Sequence, residues 1–163
     1  MKKAFTMIEL IFVIVILGIL AAVALPKFLG VANQAHEANL KSFVGTLNRS
    51  AGPSIWSKAI AKDGTGSVAA LTGKDQNLSS YVDIPKEIAE QDVNLTATCD
   101  NNGSVYNPIL HAYKNVAGKD YTIVCENGTS QHSLRFRLYE GNLTDVNISE
   151  TNTTNCLAGP GCK

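Results

Sequence analysis

The first 26 residues constrain this chain most, because they place one acidic residue inside an otherwise apolar helix. Two lysines precede an apolar run from Phe5 to Leu25, Pro26 closes the run, and Glu9 lies near its start. A carboxylate in a membrane costs about 2.5–3.5 kcal/mol at the helix centre and less near the interface. Glu9 therefore needs a neutralising partner. A cut just before Phe5 would create one, a free α-ammonium group.

This N-terminus resembles the type III signal of type IV prepilins and pseudopilins, and the resemblance rests on Phe5-Thr6-Met7-Ile8-Glu9-Leu10, Gly18-Ile19-Leu20-Ala21-Ala22 and Pro26. It implies that a prepilin peptidase cuts between Ala4 and Phe5 and that Phe5 is then N-methylated. It also implies that Glu9 meets the terminal amine of a neighbouring subunit during assembly. Gly18 and Pro26 would let the helix bend. One departure is Ala4, because the family's leader usually ends in glycine.

Two other interpretations of this segment remain open. An ordinary secretory signal would use Ala22-Val23-Ala24 as its cleavage site, although Glu9 interrupts its apolar stretch. A plain membrane anchor also fits, because a helix over Phe5–Leu25 is about 31 Å long, enough to span a bilayer. Lys2 and Lys3 would keep the N-terminus in the cytoplasm and place the rest outside.

Length and charge restrict the part of the chain beyond the apolar segment. The chain has 163 residues, which allows one domain beyond the helix, and its 14 basic and 14 acidic side chains cancel. The sequence has no basic patch of the kind that would indicate a nucleic-acid partner. We find no nucleophile elbow, phosphate-binding glycine loop or paired metal motif. The sequence therefore predicts neither an enzyme nor a cofactor or metal site.

All four cysteines, Cys99, Cys125, Cys156 and Cys162, lie beyond the apolar segment. An even count in an exported region favours disulfides. Three pairings are possible, and we favour Cys99–Cys125 with Cys156–Cys162 because turn residues fill the short loop between the last two. Zinc binding is disfavoured because short paired spacings such as C-x₂-C are absent.

The rest of the chain predicts a long helix and then a sheet. Leu40, Phe43, Val44, Leu47 and Ala51 share one helical face, which continues through Ile55 and Ala59 to a helix end near residue 62. Gly52-Pro53 is expected to interrupt it. Strands are predicted at 93–98, 104–109, 121–125, 133–139 and 143–148, with hairpin turns at Asn102-Gly103 and Asn127-Gly128. The sequence also allows short helices near 67–71 and 85–91.

These elements predict an α+β fold, in which the amphipathic helix packs on one face of an antiparallel sheet. The family resemblance implies the type IV pilin ladle, with a long kinked N-terminal helix and a globular head. We expect a cleaved leader at 1–4, a transmembrane and filament-core segment at 5–26, and an exported head at 27–163. The stretches Pro26–Leu29, Ala38–Leu47 and Ser57–Ala59 look like those of mannose-sensitive haemagglutinin pilins.

Eight N-x-[ST] triplets lie beyond the apolar run, and six of them carry an acid two residues before the asparagine. This longer form resembles the acceptor of bacterial oligosaccharyltransferases, which would then be a further partner. The six candidate glycosylation sites are Asn77, Asn94, Asn102, Asn142, Asn147 and Asn152. Asn48 and Asn127 lack the acid.

The resemblance therefore implies a structural subunit of a bacterial type IV pilus that polymerises with itself through its helix and serves surface attachment. Its partners would be the prepilin peptidase and an inner-membrane assembly platform. The precursor would reside in the inner membrane and the mature subunit in an extracellular pilus. The alternative from the same resemblance is a pseudopilin of a type II secretion system.

Overall fold

The computed structural model describes residues 5–99, 107–116, 119–141 and 156–162. Its first element is a helix of 40 residues, α1 (Met7–Thr46), which runs through Pro26 without ending there. The large exposed apolar side chains of the described residues all lie between Phe5 and Val31. The N-terminal half of α1 therefore projects from the rest of the molecule with its apolar surface uncovered.

The second half of α1 lies in the head, where a π-helical turn, wider than a turn of α-helix, connects α1 to the next helix. Leu47–Ala51 forms a π-helical turn, and α2 (Gly52–Asp63) comes next with Pro53 in its first turn. The sequence predicts an interruption at Gly52-Pro53, and the structure places the irregularity just before it. Buried positions spaced by four residues drift about 40° per step around an α-helix. The wider turn offsets that drift and keeps one face toward the core.

The predicted apolar face of the helix is confirmed. Its seven members are buried, at 6% exposure or less: Leu40, Phe43, Val44, Leu47, Ala51, Ile55 and Ala59. They pack in one cluster with sheet residues such as Ile123, Phe136 and Leu138. The helix-to-sheet interface is therefore the core of the head, as an α+β fold requires.

The described strands form an antiparallel sheet in the order β1-β2-β3-β4. Their bounds are β1 (Asn107–Val116), β2 (Lys119–Glu126), β3 (Arg135–Glu140) and β4 (Cys156–Ala158). β2 pairs with β3 along its length, from Tyr121 opposite Glu140 to Glu126 opposite Arg135. The long N-terminal helix and this sheet together confirm the α+β class and are consistent with a type IV pilin fold.

Several local predictions are wrong. The segment predicted as a strand at 93–98 holds one bridge residue and a short helix, α3 (Leu95–Thr98), which Asn94 caps through its side chain. Residues 85–91 form turns rather than a helix. The short helix allowed near 67–71 is present as a 3₁₀ turn, Val68–Ala70, and two further 3₁₀ turns, Gly73–Gln76 and Leu78–Ser80, lie between it and α3. The predicted strand at 143–148 and the turn at Asn102-Gly103 lie outside the described residues.

Asn127-Gly128 does not form the tight hairpin turn that the sequence predicts. β2 ends at Glu126 and β3 begins at Arg135, so the connection is longer. Asn127 is instead buried, and its Oδ1 accepts a hydrogen bond from Val68 N at 2.9 Å. The asparagine fastens a distant 3₁₀ turn to the end of β2, a role that no local pattern indicates.

β3 is more buried than the sequence predicts. Alternation along it predicts one solvated face, but Arg137 and Tyr139 on that face are only 4% and 3% exposed. Tyr139 packs with Val124 and Cys156 in a second small core. The loop after β4 approaches so closely that a Cβ on Gly161 would lie 2.9 Å from the Arg137 guanidinium. The C-terminal segment thus covers the outer face of the sheet at Arg137 and Tyr139.

Candidate assembly site at the N-terminal helix

The exposed helix is long and apolar enough to cross a membrane. Met7–Phe28 comprises 22 residues that meet this criterion, and none of its most apolar window is buried within the chain. At 1.5 Å per residue the segment is about 33 Å long, which matches the hydrocarbon thickness of a bilayer. The described part of the head leaves this surface uncovered.

Glu9 already has a local partner at the start of this helix. Thr6 is the N-cap residue, and its Oγ1 accepts a hydrogen bond from Glu9 N at 3.4 Å. In return, Glu9 Oε2 accepts bonds from Thr6 Oγ1 at 3.1 Å and from Thr6 N at 3.4 Å. This reciprocal arrangement is a capping box, which satisfies amide groups that the first helical turn leaves unbonded.

The role of Thr6 was missed from sequence, although a signal was present. A threonine with a glutamate three residues later, just before an apolar run, is the signature of a capping box. Phe5 lies directly before the cap and is 76% exposed. An ammonium group created there would lie one residue from the capping box. Ala4, the other side of the expected cut, lies outside the described residues.

Where the helix meets the head, polar side chains of α1 pair with each other and with residues of the head. His36 Nδ1 lies 3.1 Å from Glu87 Oε1, and Glu37 Oε1 lies 2.7 Å from Lys41 Nζ. The hydroxyl of Tyr121 in β2 donates to Glu37 Oε2 at 3.4 Å. The hydrogen bond from Lys41 lowers the pKa of Glu37. These partly exposed pairs contribute little to stability each, but they connect the helix to two separate parts of the head.

Asn48 connects the helix to the sheet, and sequence reasoning missed this role too. The π-helical turn presents its amide to β3, where Nδ2 donates to Phe136 O and Oδ1 accepts from Phe136 N, both at 2.9 Å. β4 pairs with β3 only at Leu138 and Tyr139. The Asn48 amide therefore replaces a strand partner beside that short pairing, and a lone asparagine in a helix gives no such signal in sequence.

The structure forms the two disulfides that the sequence favours. Cys99–Cys125 joins the end of α3 to β2 with a Cα–Cα distance of 5.6 Å. Cys156–Cys162 closes the C-terminal loop with a Cα–Cα distance of 5.4 Å. Among the described residues, no group of three or more histidine, cysteine or acidic side chains is placed to hold a metal.

The structure also positions part of the predicted glycosylation set. Asn94 is exposed and Asn77 is half-buried, and the two are paired by an antiparallel bridge. Asn102, Asn142, Asn147 and Asn152 lie outside the described residues. The bend expected at Gly18 and Pro26 stays a prediction.

The fold and the capped helix define an α+β protein whose N-terminal helix leaves its described apolar side chains exposed. Residues 1–25 match the family model of the prokaryotic N-terminal methylation motif. The chain is also similar to a type IV narrow pilus major component, PilA5, of Thermus thermophilus, with 55% identity over 38 residues. That alignment covers 23% of this chain and 33% of the relative, so the chain spans about a third of the relative it matches. No solved structure matches significantly.

The methylation motif and this relative together support the resemblance to type IV pilins that the N-terminal sequence predicts. Both similarities concern a minor part of the chain, and the motif match ends within the apolar segment.

Proposed function

We propose that the chain is a structural subunit of a bacterial type IV pilus, assembled through its N-terminal helix and serving surface attachment. One observation carries the proposal: a methylation-motif N-terminus opens a helix whose described large apolar side chains, between Phe5 and Val31, are exposed. The named function of the Thermus relative, a pilus component, supports the same role.

In this proposal the chain has three parts with separate tasks. Residues 1–4 are a leader that a prepilin peptidase removes, and Phe5 becomes the methylated terminus. Residues 5–26 hold the precursor in the inner membrane and later form the filament core. Residues 27–163 form the exported head. An assembly platform in the inner membrane would move the helix from lipid into a bundle of identical helices, so apolar burial is exchanged rather than gained.

Glu9 would change partners during this transfer. In the single chain its carboxylate accepts hydrogen bonds from Thr6. In the filament it would pair with the Phe5 ammonium of a neighbouring subunit. Such a buried pair adds little net stability, but removing one partner leaves an uncompensated charge and costs about 3–5 kcal/mol. Glu9 would therefore set the register between subunits, and the capping box would hold it until a neighbour arrives.

The test is Glu9→Ala in cells that produce the protein, with Asp83→Ala as the control. Asp83 is an exposed acid of the head, so its loss changes charge equally without affecting the helix. Electron microscopy of sheared surface material should show abundant filaments for the wild type and the control, and few for Glu9→Ala. Immunoblots should show the same amount of membrane-inserted subunit in all three.

Normal filaments from Glu9→Ala would contradict the role of the carboxylate. An absence of surface filaments from the wild type, with the methylated terminus present, would instead favour the pseudopilin of a type II secretion system.

A further inference from the structure

The four N-x-[ST] triplets within the described residues fall into two structural classes. The asparagines that lack an acid two positions earlier, Asn48 and Asn127, use both ends of their amides inside the fold. Those preceded by such an acid, Asn77 and Asn94, do not. A sequence pattern and an independent structural property therefore divide the triplets in the same way.

Asn127 cannot accept a substituent in the folded head. It is 8% exposed, its Oδ1 accepts from Val68 N, and its Nδ2 donates to Ser67 Oγ at 2.8 Å. Asn48 is held comparably, because its Nδ2 donates to Val44 O as well as to Phe136 O, both at 2.9 Å. A sugar on either nitrogen would displace bonds that join the head together.

Asn94 and Asn77 are placed differently. Asn94 is exposed, and only its Oδ1 is used, as the cap of α3, where it accepts from Ala97 N at 3.1 Å. Within the described part of the chain, no hydrogen bond engages Asn94 Nδ2 or the side chain of Asn77. Both nitrogens therefore accept a substituent without loss of an internal bond. The acids two residues earlier are Asp75 and Asp92.

We propose that Asn77 and Asn94 are N-glycan acceptors and that an oligosaccharyltransferase modifies them before the head folds. The donor would be an oligosaccharide linked to a lipid through pyrophosphate. The bond from sugar C1 to the pyrophosphate oxygen breaks and a bond from C1 to Nδ2 forms. The amide gives up one proton, and the lipid pyrophosphate leaves with the electron pair of the broken bond.

Modification should precede folding, because in the folded head other residues bind side chains that the enzyme must recognise. An enzyme that reads an acid, an asparagine and a hydroxyl needs all three accessible in one extended segment. In the folded head Asp75 Oδ1 lies 2.6 Å from Lys58 Nζ. Thr96 donates through Oγ1 to Val68 O and accepts from Gln76 Nε2, both at 3.2 Å. One element of each triplet is thus already engaged.

The bridge between the two asparagines fixes where the sugars would lie. Residues directly opposite in an antiparallel pair have Cβ atoms about 5 Å apart. Leu78 N donates to Val93 O at 2.9 Å, which holds the two segments together. Two glycans attached there would form one continuous carbohydrate patch on the head.

This inference rests on export of the head, which the proposed function supplies. The first test is co-expression of the full chain with a bacterial oligosaccharyltransferase and its lipid-linked oligosaccharide, in cells where a positive-control acceptor peptide is modified. Peptide mass spectrometry should find glycan at Asn77 and Asn94 and none at Asn48 or Asn127. Asp75→Ala and Asp92→Ala should each remove the glycan from the asparagine two residues later.

An absence of glycan from both Asn77 and Asn94, or equal occupancy at Asn48 and Asn127, would overturn the assignment. The second test addresses the order. Purified unmodified protein is offered to the enzyme and donor in detergent, either with disulfides intact or after reduction, alkylation and denaturation. We expect modification of both asparagines in the unfolded chain and its loss in the folded one. Equal modification of the two samples would overturn the order of events.

These outcomes are separable from those of the proposed function. Filaments assembled from chains without glycan at Asn77 and Asn94 would overturn this inference alone. Glycan at both sites in cells that make no filaments would overturn the pilus assignment alone.

Discussion

The two halves of the first helix have opposite surroundings, although they belong to one continuous element. The described large apolar side chains between Phe5 and Val31 are exposed, whereas Leu40, Val44 and Leu47 are fully buried against the sheet. Periodicity explains the difference. The second half carries its apolar residues on one face, which one sheet can cover. The first half is apolar on all of its faces, so a single sheet packed on one side could not cover it. One continuous helix thus packs on the head at one end and leaves its described large apolar side chains exposed at the other.

The same substitution made in both halves of the helix should have very different effects. Leu47→Ala should lower the free energy of unfolding of the head by about 2–5 kcal/mol, because it leaves a cavity in a packed core. Leu17→Ala should change the free energy of unfolding by no more than about 0.5 kcal/mol, because Leu17 is 58% exposed and lies outside the buried core of the described residues. Chemical unfolding in detergent, monitored by near-ultraviolet circular dichroism, measures both. Equal losses would contradict the separation of the two halves.

The disulfides extend the contrast between helix and head, because both lie in the head. Cys99 and Cys125 are 26 residues apart, and Cys156 and Cys162 are 6 apart. Loop entropy in the unfolded chain predicts a loss of about 3.5 kcal/mol for Cys99→Ala with Cys125→Ala, and about 2.2 kcal/mol for the other pair. Thermal unfolding of each double variant, with membrane insertion as a second readout, tests this. A reversed order would show that the C-terminal cover stabilises the sheet beyond its loop entropy.

Asn48 tests the contact that joins the helix to β3. Asn48→Ala leaves the Phe136 amide and carbonyl without their side-chain partner, which should cost about 1–3 kcal/mol. Asn39→Ala is the matched control, because Asn39 is exposed on the same helix. The control should be neutral or slightly stabilising, since alanine has the higher helix propensity. Equal effects on the denaturant midpoint would show that the paired amide contributes nothing.

The smallest expected effect concerns the surface pair Lys58–Asp75. The hydrogen bond from Lys58 lowers the pKa of Asp75 from its ordinary 3.8. A lowered folded-state pKa means that the contribution is fully present above about pH 4 and is lost as the pH falls through the folded pKa. Lys58→Met should therefore lower the denaturant midpoint slightly at pH 6, and by less as the pH falls through the folded pKa of Asp75. A loss that does not shrink on acidification would contradict the ion pair as its cause.

The sequence predicts well wherever a signal is local or periodic. The buried face at Leu40, Phe43, Val44 and Leu47 can be read from spacing alone, and the short Cys156–Cys162 loop from its turn residues. Prediction fails where a distant contact decides the structure. Asn127-Gly128 has the sequence of a hairpin turn, but the Asn127 amide is buried by its hydrogen bonds with Val68 and Ser67.

At the assembly site, Glu9 stands out because an acid in an apolar run is costly. Its local partner Thr6 had a readable signature that was overlooked. The pairing of Asn48 with Phe136 had no signature, because 88 residues separate the two in sequence. The covering of Arg137 and Tyr139 by the C-terminal loop likewise depends on a segment far along the chain. Pattern therefore predicts the surface that α1 exposes better than it predicts the contacts within the head.

Whether α1 is an assembly helix can be decided by mass spectrometry of the subunit recovered from sheared surface filaments. We predict a mature chain that begins at Phe5, carries one methyl group on its terminal nitrogen, and retains the helix with Glu9. A chain that begins near Leu25 would mean that the apolar segment is a discarded secretory signal. In that case neither the capping box nor the exposed half of α1 could serve assembly, and the proposed role of the helix would be contradicted.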